Sequence, residues 1–210
     1  MASTRPMTLE SAKQLLDGFV QGVVSALGFQ RVERLIYTRP VNEAAALFSF
    51  PCRLDPRGPG CFGCNVGLRF LSLEPFLQGE AKPIVPTVMT PLHLLRENKR
   101  FAEWQFHTRD DLEQLRDTVT RELTDIALPF VEKHSRLAEI RRKVESTTPA
   151  DWFGLGPEGR LTVLAAIQFV QGDKPNALKT LDDALLERKG ALPAKRLPIE
   201  AVRKRLAAAA

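Results

Sequence analysis

Cysteine is scarce, three residues in 210. An odd number in a chain of this length supports no disulfide framework and fits a reducing compartment. Long apolar runs are missing as well: nothing approaches the roughly 18 residues that a membrane span needs. The opening Met-Ala-Ser-Thr-Arg-Pro-Met has no apolar core of the signal-peptide kind, so the expected location is cytoplasmic, with no membrane partner. No Gly-x-Ser-x-Gly elbow, Walker A loop or dinucleotide fingerprint occurs, which removes nucleotide binding and the common hydrolase arrangement. The histidines His93, His107 and His134 are scattered over a Pro-rich segment, a strand end and a helix, with no sign of a base set beside a nucleophile.

An even spread of positive charge is also lacking. The formal net charge is +5, yet from Glu187 onward seven basic residues stand against two acidic ones, and the remaining 23 and 23 cancel. The basic character is that of a tail, not of a binding face. Nucleic acid is therefore not an expected partner, and Arg141, Arg142 and Lys143 have no interleaved aromatics to make a stacking platform.

What is present is the composition of an ordinary globular chain, 44% hydrophobic and 26% charged, long enough to bury a core. Its centre is Cys61 to Phe70. Phe62, Cys64, Val66, Leu68 and Phe70 alternate with Gly63, Asn65, Gly67 and Arg69, the period of a half-buried strand. Two glycines in a strand imply close packing over the second face, by a helix or a neighbouring chain.

Upstream, Thr8 caps a helix whose apolar residues run from Leu9 to Leu27 and which Gly28 ends at a left-handed position. Phe29 to Arg39 and Ala44 to Leu54 read as strands, and the turn formers from Asp55 to Gly60 lead into the central strand as an antiparallel meander. Pro75, Pro83, Pro86 and Pro91 make Ser72 to Arg100 an irregular insertion, with a short strand near Ile84 to Met89 and a helical turn near Leu92 to Arg96. Phe101 to His107 reads as the last strand, Trp104 and Phe106 pointing one way. Thr108 and Asp111 form a capping box for a long helix that Pro129 should kink or end, the chain continuing helically to about Ser146.

The expected fold is α+β. An antiparallel sheet is packed by the N-terminal helix and the later long helix over residues 1–146, and a helical C-terminal extension over 150–210 follows. Within the extension, Glu158 to Gln171 and Pro175 to Arg188 form a helical hairpin. Its small and large residues, Ala165, Ala166, Phe169, Ala177, Leu181, Ala184 and Leu185, make it similar to a single tetratricopeptide unit. One unit alone cannot bury its faces, so it should pack on the core or on another subunit. A final basic, alanine-rich helix covers Ile199 to Ala209.

Several short motifs in this order resemble the domain of unknown function 4304 family over roughly residues 8–146. They are Leu27-Gly28-Phe29 after an amphipathic helix, Tyr37-Thr38-Arg39 at a strand end, Asn65-Val66-Gly67-Leu68, Trp104, and Leu128-Pro129-Phe130. The resemblance implies a small bacterial α+β domain without a settled activity, of a kind that includes immunity proteins found beside toxins. The long Pro-rich insertion and the Cys61 and Cys64 pair depart from the family pattern.

Two sets of residues are candidates for function. Cys52, Cys61 and Cys64, with His93 or His107 as a fourth ligand, offer the donor types of tetrahedral zinc. Residues three apart on a strand, however, point to opposite faces, and buried free thiols are the simpler account. Trp152 and Phe153, in a Gly- and Pro-rich linker, are aromatics of the kind that anchor a protein partner or pin the hairpin to the core. The reading that gathers these features is a non-enzymatic bacterial interaction protein, in its most specific form an immunity-type protein that binds and neutralises a cognate toxin without a cofactor. The alternative is a small zinc-binding protein or enzyme centred on Cys52, Cys61 and Cys64.

Overall fold

Thr8 starts the first helix by a reciprocal cap. Its hydroxyl accepts from the Ser11 backbone N–H at 3.1 Å, and its own N–H donates to the Ser11 hydroxyl at 2.9 Å. The helix, α1 (Leu9–Ala26), buries Ala12, Leu16, Phe19, Val20, Val23 and Val24 along one stripe and is ended by Gly28 at φ 79°. The computed structural model describes residues 7–55, 58–78, 85–101, 103–149 and 153–209.

Each of the three strands expected in the meander is divided. Phe29 to Arg39 becomes a hairpin of β1 (Gln30–Glu33) and β2 (Ile36–Val41), turned at Leu35, whose φ is 61°. Ala44 to Leu54 becomes β3 (Ala44–Ser49) and β4 (Cys52–Leu54), and the central stretch becomes β5 (Gly60–Phe62) and β6 (Asn65–Arg69). β7 (Val88–Pro91) and β8 (Trp104–Phe106) complete the strands, so the described residues form two antiparallel sheets where the pattern suggested one. Five strands lie in the order β1-β2-β3-β6-β7 and three in the order β4-β5-β8. β3 pairs with β6 in one sheet while their continuations β4 and β5 pair in the other, so this long hairpin turns a corner and changes sheet. Pro51 and Gly63 stand at the bend, where the Gly63 N–H donates to the Pro51 carbonyl at 3.2 Å.

The alternation of the central stretch survives the bend. Phe62, Cys64, Val66, Leu68 and Phe70 are all buried. Of the two glycines in that stretch, Gly63 is open, since a Cβ there would meet nothing within 4 Å, whereas one at Gly60, just before the stretch, would lie 2.6 Å from the Phe106 ring. Gly60 faces Phe106 across the β5–β8 ladder and Phe62 faces Trp104, which seats the Trp104 and Phe106 rings 5.0 and 5.9 Å from that of Phe62.

The insertion holds α2 (Glu74–Leu77), then β7, then α3 (Leu92–Leu95), and Ile84 lies outside the described residues. Thr108 and Asp111 form the expected capping box of α4 (Arg109–Glu122). Pro129 does not end the helix. The chain widens into one π-helical turn, Leu123–Ala127, in which the Leu128 N–H reaches back to Leu123, and resumes as α5 (Leu128–His134). A wider turn ahead of a proline relieves the ring's clash with the preceding turn and the loss of its N–H. The break comes later, at Ser135 and Arg136, before α6 (Leu137–Glu145).

Two compact units divide the chain. The first comprises Met1–Val41, Ala46–Gly67 and Thr90–Lys133, the second Asn42–Ala45, Leu68–Met89 and His134–Ala210. In the first, α1 packs on α4 and β4. In the second, α7 (Pro157–Val170) is buried continuously from Thr162 to Phe169, as befits a helix covered on all sides. Around it stand α6, α8 (Lys174–Glu187), α9 (Pro193–Ala208) and the short α2. The neighbours that a lone repeat requires thus come from its own chain: Ile199, Val202 and Leu206 of α9 join Phe169 and Leu181 in one cluster, and the Phe76 ring of α2 lies 5.0 Å from that of Phe169.

Candidate functional site

The corner of the bent hairpin leaves an open cleft in the first unit, about 150 Å³ in volume. Its floor is Pro51, Gly63 and Cys64; α3 brings His93 and Arg96, and the approach to β8 brings Phe101 and Trp104. Three residue pairs position these groups. The Leu92 N–H donates to the Cys64 carbonyl at 2.8 Å and ties α3 to the corner. The Arg96 guanidinium pairs with Glu122 of α4, and Arg53 of β4 holds the Glu103 carboxylate through two bonds, its Nε at 3.2 Å. Phe101 is 69% exposed and sets its ring edge-on to that of His93, 5.1 Å between centroids. The Arg96 Nε–H is buried in the wall without an acceptor.

The three thiols do not converge with histidines. Among the described residues, no group of three or more His, Cys, Asp and Glu side chains is arranged to hold a metal ion. Cys52 lies opposite Phe62 and Cys61 opposite Arg53 on the β4–β5 ladder, so the two belong to different positions of the pleat. Cys61 and Cys64 are buried and Cys52 half-buried, and burial pushes all three thiols above the ordinary value. Cys64 is shifted most, with the Glu122 carboxylate adding to burial. A nucleophilic or redox thiol requires a shift the other way.

Phe153 is 8% exposed and lies edge-on to His134 at 5.1 Å within the second unit. Trp152 lies outside the described residues. The basic tail is largely engaged within the second unit. Arg188 pairs with Glu158, Arg196 with Glu200 and Arg203 with Asp182, and Arg205 donates to the Phe76 carbonyl. No helix among the described residues is long and apolar enough to cross a membrane.

The cleft was missed in the sequence because its residues looked ordinary one by one. Phe101 carried a usable signal: on the alternation that points Trp104 and Phe106 inward it falls on the opposite face, directly after Lys99 and Arg100.

The motifs behind the family resemblance have structural roles. Arg39 donates to the Leu27 carbonyl at 2.8 Å and lies over the Phe29 ring at 5.1 Å, Gly28 ends α1, and Pro129 follows the π-helical turn. What the fold and the cleft define is an α+β protein with an aromatic-lined recess at a sheet corner. No family model, no curated protein and no solved structure matches the chain.

Proposed function

We propose that this is a non-enzymatic bacterial interaction protein of the immunity type, which binds and neutralises a cognate toxin. The observation that carries the binding role is Phe101, 69% exposed at the lip of the cleft beside His93, Arg96 and Trp104. Aromatic and arginine side chains around a recess are the composition of interface hot spots, and a ring so exposed loses contact with water only when a partner covers it. The toxin as partner rests on the ordered motifs that resemble the domain of unknown function 4304 family. The raised thiols and scattered histidines favour recognition over chemistry.

The test is capture from the host of origin with the intact protein and with Phe101→Ser, followed by expression of the captured partner alone and together with this chain. The expected result is one stoichiometric partner that arrests growth alone, is rescued by co-expression, and is lost on Phe101→Ser at an unchanged melting temperature. A partner that is harmless alone removes the toxin reading, and one that Phe101→Ser holds equally well removes the cleft.

A further inference from the structure

The size of the cleft limits what can enter it. Small-molecule sites are usually about 300–1,000 Å³, so a recess of about 150 Å³ is smaller than most cofactor and metabolite sites. An engineered apolar cavity of about the same size in another protein takes up benzene. The space therefore matches one phenyl ring.

Polar groups around the recess select what surrounds that ring. The charges in the walls are already neutralised, Arg53 by Glu103 and Arg96 by Glu122. The segment leading to the lip adds exposed Lys99 and Arg100, the latter directly before Phe101, against exposed Glu97. This surplus of positive charge favours an occupant that carries negative charge.

We infer that the cleft is an anchor site for a single phenylalanine side chain presented by an acidic segment of a protein partner. The ring enters between Trp104 and Phe101 above Gly63, and carboxylates on either side of it face Lys99 and Arg100. This rests on the binding role proposed above and specifies the partner's chemistry at the same site.

Gly63 provides the decisive variant. It lines the recess, its backbone has an ordinary φ, and a Cβ there meets nothing within 4 Å, so Gly63→Leu adds bulk at the recess with no clash at its Cβ. The probe is the synthetic peptide Asp-Asp-Phe-Asp-Asp. Binding is read as a change in Trp104 emission in a Trp152→Phe background, with the melting temperature of each variant as the control for folding. The expected result is saturable binding that weakens about tenfold or more when alanine replaces phenylalanine, the lower end of what burying a phenyl ring yields. A similar loss is expected when lysines replace the aspartates, on Gly63→Leu, and on Arg100→Glu.

Equal binding of the phenylalanine and alanine peptides overturns the inference, as does equal binding of the acidic and basic ones, undiminished binding to Gly63→Leu, or no binding by any peptide. A toxin captured through Phe101 while the peptides fail removes the phenylalanine anchor and leaves the binding role in place. Peptide binding without a toxin removes the immunity reading and leaves the anchor.

Discussion

The Tyr37 hydroxyl donates to the Asp17 carboxylate at 3.0 Å, joining the β1–β2 hairpin to the buried face of α1. The same carboxylate accepts from the Leu35 N–H at 3.2 Å and pairs with Arg31 at 3.0 Å. A charge this deep is tolerable only while its acceptor positions are filled. Tyr37→Phe removes one donor and keeps the ring, and should lower stability by about 2 kcal/mol, the range for a bond to a charged group. Urea unfolding, with the midpoint lowered at a constant slope, is the measurement.

Alkaline pH should weaken the fold. Burial, followed by the bond to Asp17, raises the Tyr37 phenol above its ordinary value of 10.0, and burial raises Cys52, Cys61 and Cys64 above 9.0. Above those values the unfolded chain has released protons that the folded chain still holds, so unfolding becomes easier as pH rises. Stability from these groups is fully present below about pH 8 and declines as pH climbs beyond about 9. Urea midpoints between pH 7 and 10.5 should trace that decline, and Cys64→Ala with Tyr37→Phe should flatten it. At pH 8, an aromatic disulfide reagent should modify half-buried Cys52 ahead of the buried Cys61 and Cys64.

Two glycines of one hairpin should respond in opposite ways to the same methyl group. A Cβ at Gly60 would press on the Phe106 ring at 2.6 Å, and that ring is buried, so Gly60→Ala should cost about 1–3 kcal/mol by overpacking. Gly63→Ala meets open space at an ordinary backbone angle and should be neutral or stabilising by about 0.5 kcal/mol through the unfolded state. Melting temperatures of the two variants decide the matter.

Weak, shallow salt dependence is expected for any contact between the C-terminal tail and DNA. With Arg188, Arg196, Arg203 and Arg205 engaged within the second unit, the exposed cations from Glu187 onward are Lys189, Lys195 and Lys204. Three phosphate contacts give a slope of log K against log salt of about −3 or shallower. Anisotropy of a labelled duplex titrated with the intact chain and with a Lys189→Gln, Lys195→Gln, Lys204→Gln variant measures the difference, and a slope near −6 that survives the three substitutions would mean that the ion pairs open.

Local signals carried the helices. Thr8, Gly28 and the Thr108–Asp111 box act within one turn of the chain, and the structure uses each as its spacing suggested. The alternation from Phe62 to Phe70 was legible for the same reason, because burial there follows the pleat. The corner was not. Pro51 and Gly63 mark a bend only when pairing sets them opposite each other, and strand pairing is a long-range choice that neither residue announces. The cleft depends on that bend, on β8 joining β5, and on the Arg96–Glu122 pair, so no window of sequence contains it. Of the kink or end expected at Pro129, the end does not occur: the ring forbids an ordinary helical turn, and the chain answers with a wider one.

Arg205 reaches the Phe76 carbonyl across 129 residues of sequence, and the Phe76 ring rests on Phe169. On a ribosome adding roughly 5–20 residues each second, that separation amounts to roughly 6–26 s. Throughout this interval the nascent α2 has no α9 to close against, and one apolar side of the second unit waits uncovered. α9 emerges after the other elements of the second unit that it covers and completes their burial, which makes a product stalled before it a natural client for chaperones.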